Sequence, residues 1–116
     1  MNFDHAVDVY ASATHNKVFG IYMTGNKSLF HAKDRVSIET VGGNMQTGNN
    51  GIMIQQNSSA LFEGALSVKV SGDTGSNIGI MVSSGGKIEM EDSLKIKCVR
   101  YKFQRWVVGS AGRFIG

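Results

Sequence analysis

The chain repeats itself, and no other feature constrains its fold as tightly. From Phe3, the stretch FDHAVDVYASATHNKVFG lies without a gap over FEGALSVKVSGDTGSNIG from Phe62, matching at Phe3/Phe62, Ala6/Ala65, Val9/Val68, Ser12/Ser71 and Gly20/Gly79. A shorter signature recurs at Gly20-Ile21-Tyr22-Met23, Gly51-Ile52-Met53-Ile54 and Gly79-Ile80-Met81-Val82, at spacings of 31 and 28 residues. Self-similarity at a period of 20 to 50 residues marks a solenoid or array, in which each unit buries its apolar face only against its neighbours.

Within each unit the apolar residues alternate with period 2, as a strand with one buried face requires. The first signal is the Gly-Ile-x-apolar segment, with Ile21/Met23, Ile52/Ile54 and Ile80/Val82 expected inside. The second opens on a bulky residue and runs into an apolar alternation. It reads Phe3 to Val7/Val9, Phe30 to Val36/Ile38, Phe62 to Leu66/Val68/Val70, and Met90 to Leu94/Ile96/Cys98. Phe62 and Met90 lead their leucines by four residues but Phe30 leads Val36 by six, which predicts two extra residues near 32–34 in a bulge or loop. Clusters of Gly, Asn, Asp and Ser, such as Thr24-Gly25-Asn26, Gln55-Gln56-Asn57-Ser58 and Ser83-Ser84-Gly85-Gly86, separate the signals as turns.

These positions divide the chain into a partial unit 1–19, units 20–50, 51–78 and 79–98, and a tail 99–116. Coiled up, they predict an all-β, right-handed parallel β-helix of three to four rungs. The interior would hold Ile52, Ile54, Phe62, Leu66, Val68, Ile80, Met90, Leu94 and Ile96, while Gln55, Lys69, Lys87, Glu89 and Lys95 face water.

Composition agrees. The chain has 15 Gly and no Pro, which suits glycine- and asparagine-built turns between strands that need every backbone N–H. No apolar run is long enough to cross a membrane. The first ten residues lack the basic and apolar regions of a secretory signal, so the chain is expected to be cytoplasmic or a piece of something larger. A single cysteine, Cys98, excludes an internal disulfide framework and a cysteine-rich zinc site. In the slot of Val70 it reads as a small buried hydrophobe.

The pattern Asn-Gly-Ile-x-Ile, a Gly/Asn/Ser turn, a leading apolar residue and then Leu-x-Val-x-Val, in residues 50–70 and again in 78–98, resembles the β-helical passenger region of bacterial autotransporters and related adhesins. The resemblance covers about residues 1–98. It implies a surface-exposed, secreted stalk or display scaffold at the bacterial outer membrane, associated with adhesion and virulence, here as a fragment without signal peptide or barrel.

Four features bear on chemistry. Asp4, His31, Glu63 and Glu91 follow the bulky residues and would form an outward column, with Glu63 and Glu91 near the spacing of the paired carboxyls of a retaining glycosidase. A solvated face produces the same column. His5, His15 and His31 fall at three different places in the repeat, which does not converge on a metal. Asp73 sits in a turn without the recurrence of a calcium-binding nonapeptide, and Ser83–Lys87 lacks phosphate-loop spacing. No catalytic, cofactor-binding or metal-binding residue is assigned, and no cofactor is expected.

The tail is a different compositional object. Residues 1–92 carry six basic and nine acidic side chains, and residues 93–116 carry six basic and none acidic. Around Tyr101, Phe103 and Trp106 three readings stand: a strand capping the last rung, a sequence foreign to the repeat, or a nucleic-acid or anionic-lipid contact. The expected function is that of a non-catalytic scaffold whose partners are a host surface or polysaccharide, or further copies stacked end to end or edge to edge, with no nucleic acid and no membrane span. A β-helical polysaccharide lyase or hydrolase and a self-assembling structural module are the alternatives.

Overall fold

In a computed structural model of the chain, the period-2 alternation becomes extended strand throughout. The structure describes residues 2–13, 18–42, 49–72, 76–99, 103–110 and 113–115. Their strands are β1 (Asn2–Phe3), β2 (Val7–Ala13), β3 (Val18–Met23), β4 (Leu29–Ala32), β5 (Val36–Gly42), β6 (Asn49–Ile54), β7 (Ser59–Phe62), β8 (Leu66–Gly72), β9 (Ser76–Ser83), β10 (Lys87–Met90), β11 (Leu94–Val99), β12 (Phe103–Ser110) and β13 (Arg113–Ile115). They form three sheets, ordered β1-β4-β7-β10-β13 (sheet A), β11-β8-β5-β2 (sheet B) and β12-β9-β6-β3 (sheet C). Every pairing is parallel. The chain visits A, B and C in turn and then stacks the next tier on the last.

The repeat therefore has three strands per tier, where the sequence shows two signals. The corner between sheets A and B is three residues long, as in 63–65, so Phe62 and Leu66 stay four apart and the inward phase is kept through the bend. Such a segment reads as one strand although the chain turns within it. The corner is tied to neighbouring tiers by backbone bonds from Lys33 N to Phe3 O, Glu63 N to Ala32 O and Glu91 N to Phe62 O, each 2.9 Å.

Register confirms the spacings of the Gly-Ile signature, with Ile21 beside Ile52 and Ile52 beside Ile80. It also shows that the ungapped match of Phe3 to Phe62 skips a tier, since both flank Ala32. The expected two-residue insertion at 32–34 is absent. Phe30 pairs with Ala60, and Ala32 takes the slot of Phe62. A large and a small side chain have exchanged places between tiers, and the rings still meet, with Phe30 centroids 5.2 Å from Phe3 and 5.5 Å from Phe62. The interior volume is conserved while the position of the ring is not.

Ile52, Ile54, Phe62, Leu66, Val68 and Ile80 are at most 1% exposed and Met90 is 8% exposed. Leu94 and Ile96 are partly buried against this core, since β11 is the last strand of its sheet. Lys69 and Lys95 face water, and Gln55, Lys87 and Glu89 are half-buried on the outer faces.

The glycine of the Gly-Ile signature has a steric cause. A Cβ on Gly51 would lie 2.2 Å from Val68 Cγ1 and 2.6 Å from Gly79 O, and one on Gly20 2.3 Å from Ile38 Cγ2. Sheet C leans on sheet B there, and only hydrogen fits. The corner from sheet C to sheet A instead needs left-handed backbone: Gln56 and Asn57 have φ of 56° and 61°, and Ser84 and Gly85 of 50° and 81°. Buried Ser58 stitches this corner, its hydroxyl donating to Gln55 O at 2.8 Å with Gly25 O of the tier below at 3.0 Å.

The boundary drawn at Val99 does not interrupt the backbone pairing. Phe103–Ser110 pairs with β9, and Arg113–Ile115 with β10. The side chains of Cys98, Phe103 and Trp106, and Tyr101 altogether, lie outside the described residues, as do the connections 14–17, 43–48 and 73–75 with His15 and Asp73.

Candidate functional site

The outer surface of sheet A is grooved. Its strands are short, so each tier presents two outward residues: Leu29 and His31, Ser59 and Leu61, Lys87 and Glu89. Register places Asn2, His31, Leu61 and Glu89 in one column and Leu29, Ser59 and Lys87 in the next. Between them runs a shallow groove of about 400 Å³. Of its lining residues, His31 meets a carboxylate from the adjoining corner and Lys87 pairs with Glu89. His31 Nε2 sits 2.5 Å from Glu63 Oε2, with the side chains 30% and 38% exposed, and Lys87 Nζ sits 2.6 Å from Glu89 Oε1.

The outward column expected from the sequence needs correcting. Because Ala32 holds the slot of Phe62, the residue in register with Asp4, Glu63 and Glu91 is Lys33, not His31. Lys33 Nζ lies 3.4 Å from Asp4 Oδ1, so the repeat does place a basic residue among these carboxylates. His31 comes to Glu63 from the adjacent strand face. The column expected from the sequence, which aligned the two phenylalanines, put His31 beside Glu63; the two do meet, but by a diagonal contact between sheet A and the corner. Aligning Val36 with Leu66 at constant corner length gives the observed register, with His31 opposite Leu61 and Lys33 in line with Glu63.

A histidine held against a carboxylate can pass a proton, and the carboxylate fixes the ring's orientation. Paired groups of this kind also occur as plain surface ion pairs, which contribute about 0–1 kcal/mol. The other histidine with a described position, His5, is exposed in a corner. Among the described residues no group of three or more His, Cys, Asp or Glu converges as a metal site would require.

The remaining faces show the same tier-to-tier pairing. On sheet B, Arg35 Nη1 lies 3.7 Å from Asp8 Oδ1 and Lys69 Nζ 3.8 Å from Glu39 Oε2. Along the edge of sheet C, Gln55 Nε2 donates to the Tyr22 hydroxyl at 2.7 Å and the Thr24 hydroxyl donates to Gln56 Oε1 at 2.8 Å. Asn57 Nδ2 donates to Asn26 Oδ1 at 3.3 Å. Phe19 meets Tyr22 edge to face at 4.8 Å.

Comparison with known protein families, with curated proteins and with solved structures found no match. Among the described residues no helix is long and apolar enough to cross a membrane.

Proposed function

We propose that this chain is a stretch of right-handed parallel β-helix that serves as a non-catalytic scaffold, of the kind found in autotransporter passengers and adhesins at the bacterial surface. Handedness follows from a general rule, since parallel connections returning to the same sheet are right-handed in about 98% of cases. The observation that carries the scaffold reading is the use made of the outward charges. Asp4, Asp8, Glu39, Glu63 and Glu89 each contact a cationic or histidine partner, and four of these five contacts join neighbouring tiers. Outward charges paired from tier to tier suit a stalk that displays a surface to a host or to polysaccharide.

One observation favours an enzyme instead, namely the His31–Glu63 pair, whose histidine lines the sheet A groove. Outer faces of stacked parallel sheets are long enough to bind an extended sugar chain, and this pair could serve as proton donor and acceptor. Incubation with acidic and neutral polysaccharides, read as new chain ends, separates the two readings. The scaffold reading expects no turnover. Turnover lost in both His31→Gln and Glu63→Gln would replace it with a glycan-cleaving enzyme.

A further inference from the structure

Sheet B carries a groove of its own. Along β2, β5, β8 and β11 the outward residues fall into two columns, Asp8-Ser37-Ser67-Lys95 and Tyr10-Glu39-Lys69-Lys97. Between the columns lies a shallow depression of about 330 Å³, whose lining includes Asp8, Tyr10, Ser37, Glu39, Ser67 and Lys69. It crosses the strands and points toward Lys95 and Lys97, and four strands at the usual spacing span about 14 Å. These side chains stand on the face of the sheet rather than at its edge, so a further strand beside β2 or β11 would leave them in place.

The chemistry is graded along this groove. On β2 the Tyr10 ring is 67% exposed, a rigid apolar face with a hydroxyl at its tip. Ser37 and Ser67 supply further hydroxyls, each able to donate and accept. The two carboxylates beside them already face cations, Asp8 with Arg35 at 3.7 Å and Glu39 with Lys69 at 3.8 Å. On β11, Lys97 stands directly opposite Lys69, and Lys95 lies two residues away on the same face. Like charges opposite one another on neighbouring strands repel. Lys95 and Lys97 are exposed and form no ion pair among the described residues, and the acids nearest in sequence, Glu91 and Asp92, lie in the preceding corner.

We propose that this groove binds a polysaccharide in which neutral and acidic sugars alternate, with a neutral ring on Tyr10 and a carboxylate between Lys95 and Lys97. This rests on the reading of the chain as a scaffold that meets polysaccharide, and assigns the face and the chemistry of the contact. A sugar ring offers C–H groups to an aromatic face and hydroxyls to the serines. A carboxylate accepts charge-assisted hydrogen bonds from both lysines and relieves their repulsion with Lys69. A nucleic acid or an anionic membrane would instead press further negative charge against Asp8 and Glu39. Single strands also call for aromatic platforms under successive bases, whereas the described side chains of this face include one tyrosine.

Calorimetric titration of the full chain with a hyaluronan oligosaccharide, which carries a carboxylate on every second sugar, tests this. Binding should weaken in high salt, as a contact between exposed charges does. Lys95→Gln combined with Lys97→Gln should lower the affinity about tenfold or more, and Tyr10→Ala about fivefold. Lys97→Arg, which keeps the charge, and Lys33→Gln, in the corner between β4 and β5, should leave it unchanged. Neutral dextran should not bind, and single-stranded DNA and vesicles of anionic lipid should bind more weakly than hyaluronan. Binding to DNA or vesicles as tight as to hyaluronan, or an affinity indifferent to both Tyr10→Ala and the lysine changes, overturns the proposal. Failure to bind hyaluronan also overturns it and leaves the scaffold reading standing, whereas binding followed by cleavage supports the site and overturns the scaffold reading instead.

Discussion

Thr40 is fully buried, and its Oγ1 has no hydrogen-bonding partner. It belongs to a column with Ala11 and Val70 on neighbouring tiers, where an apolar side chain would be expected. The surroundings of residues 40 and 70 are nearly superposable: a Cβ on Gly20 would lie 3.3 Å from Thr40 Cγ2, and a Cβ on Gly51 the same 3.3 Å from Val70 Cγ2. Valine therefore fits at position 40 without repacking, and Thr40→Val exchanges an unpaired hydroxyl for a methyl of the same shape. Burying a polar group without a partner costs about 1–3 kcal/mol, so the substitution should stabilise the chain by about 1–2 kcal/mol. For a domain of this size the thermal midpoint should rise by about 4–8 °C. In urea, the midpoint should move up with an unchanged slope, since the surface exposed on unfolding is the same. Val70→Thr should lose a similar amount. If Thr40→Val is no more stable than the parent while Val70→Thr is weakened, the hydroxyl at position 40 is satisfied and the reasoning fails.

Gly51→Ala should cost about 2–3 kcal/mol or prevent folding, because its Cβ would meet Val68 and the Gly79 carbonyl; denaturant titration that finds a loss under 1 kcal/mol would refute close contact between sheets B and C. Ser58→Ala removes the buried hydroxyl bonded to the Gln55 carbonyl and should cost about 1 kcal/mol, measured by the same titration. Deleting residues 100–116 takes the paired neighbour from Ile78, Ile80 and Val82. The thermal midpoint should fall and amide exchange in β9 should quicken, and unchanged exchange there would show that β12 contributes little.

How much was legible follows from where the physics is local. The Gly-Ile signature was visible because two requirements coincide in it: an inward isoleucine in every tier, and a glycine that lets one sheet rest on another. The Phe30 slot was misread because packing conserves summed volume rather than residue type, so Phe30/Ala32 and Ala60/Phe62 are equivalent to the core but not to an alignment. The same error put His31 in place of Lys33 in the outward column.

The sequence alone determined the period, the alternation and the places of the turns, because each is a property of residues close together in the chain. It could not show that one apparent strand bends into two, since a three-residue corner preserves the inward phase. Only the tertiary structure decided which side chains meet across tiers, and that among the described residues sheet A carries five strands against four in its neighbours. Those contacts join residues about thirty apart, and their register depends on corner length and core volume summed over the whole tier.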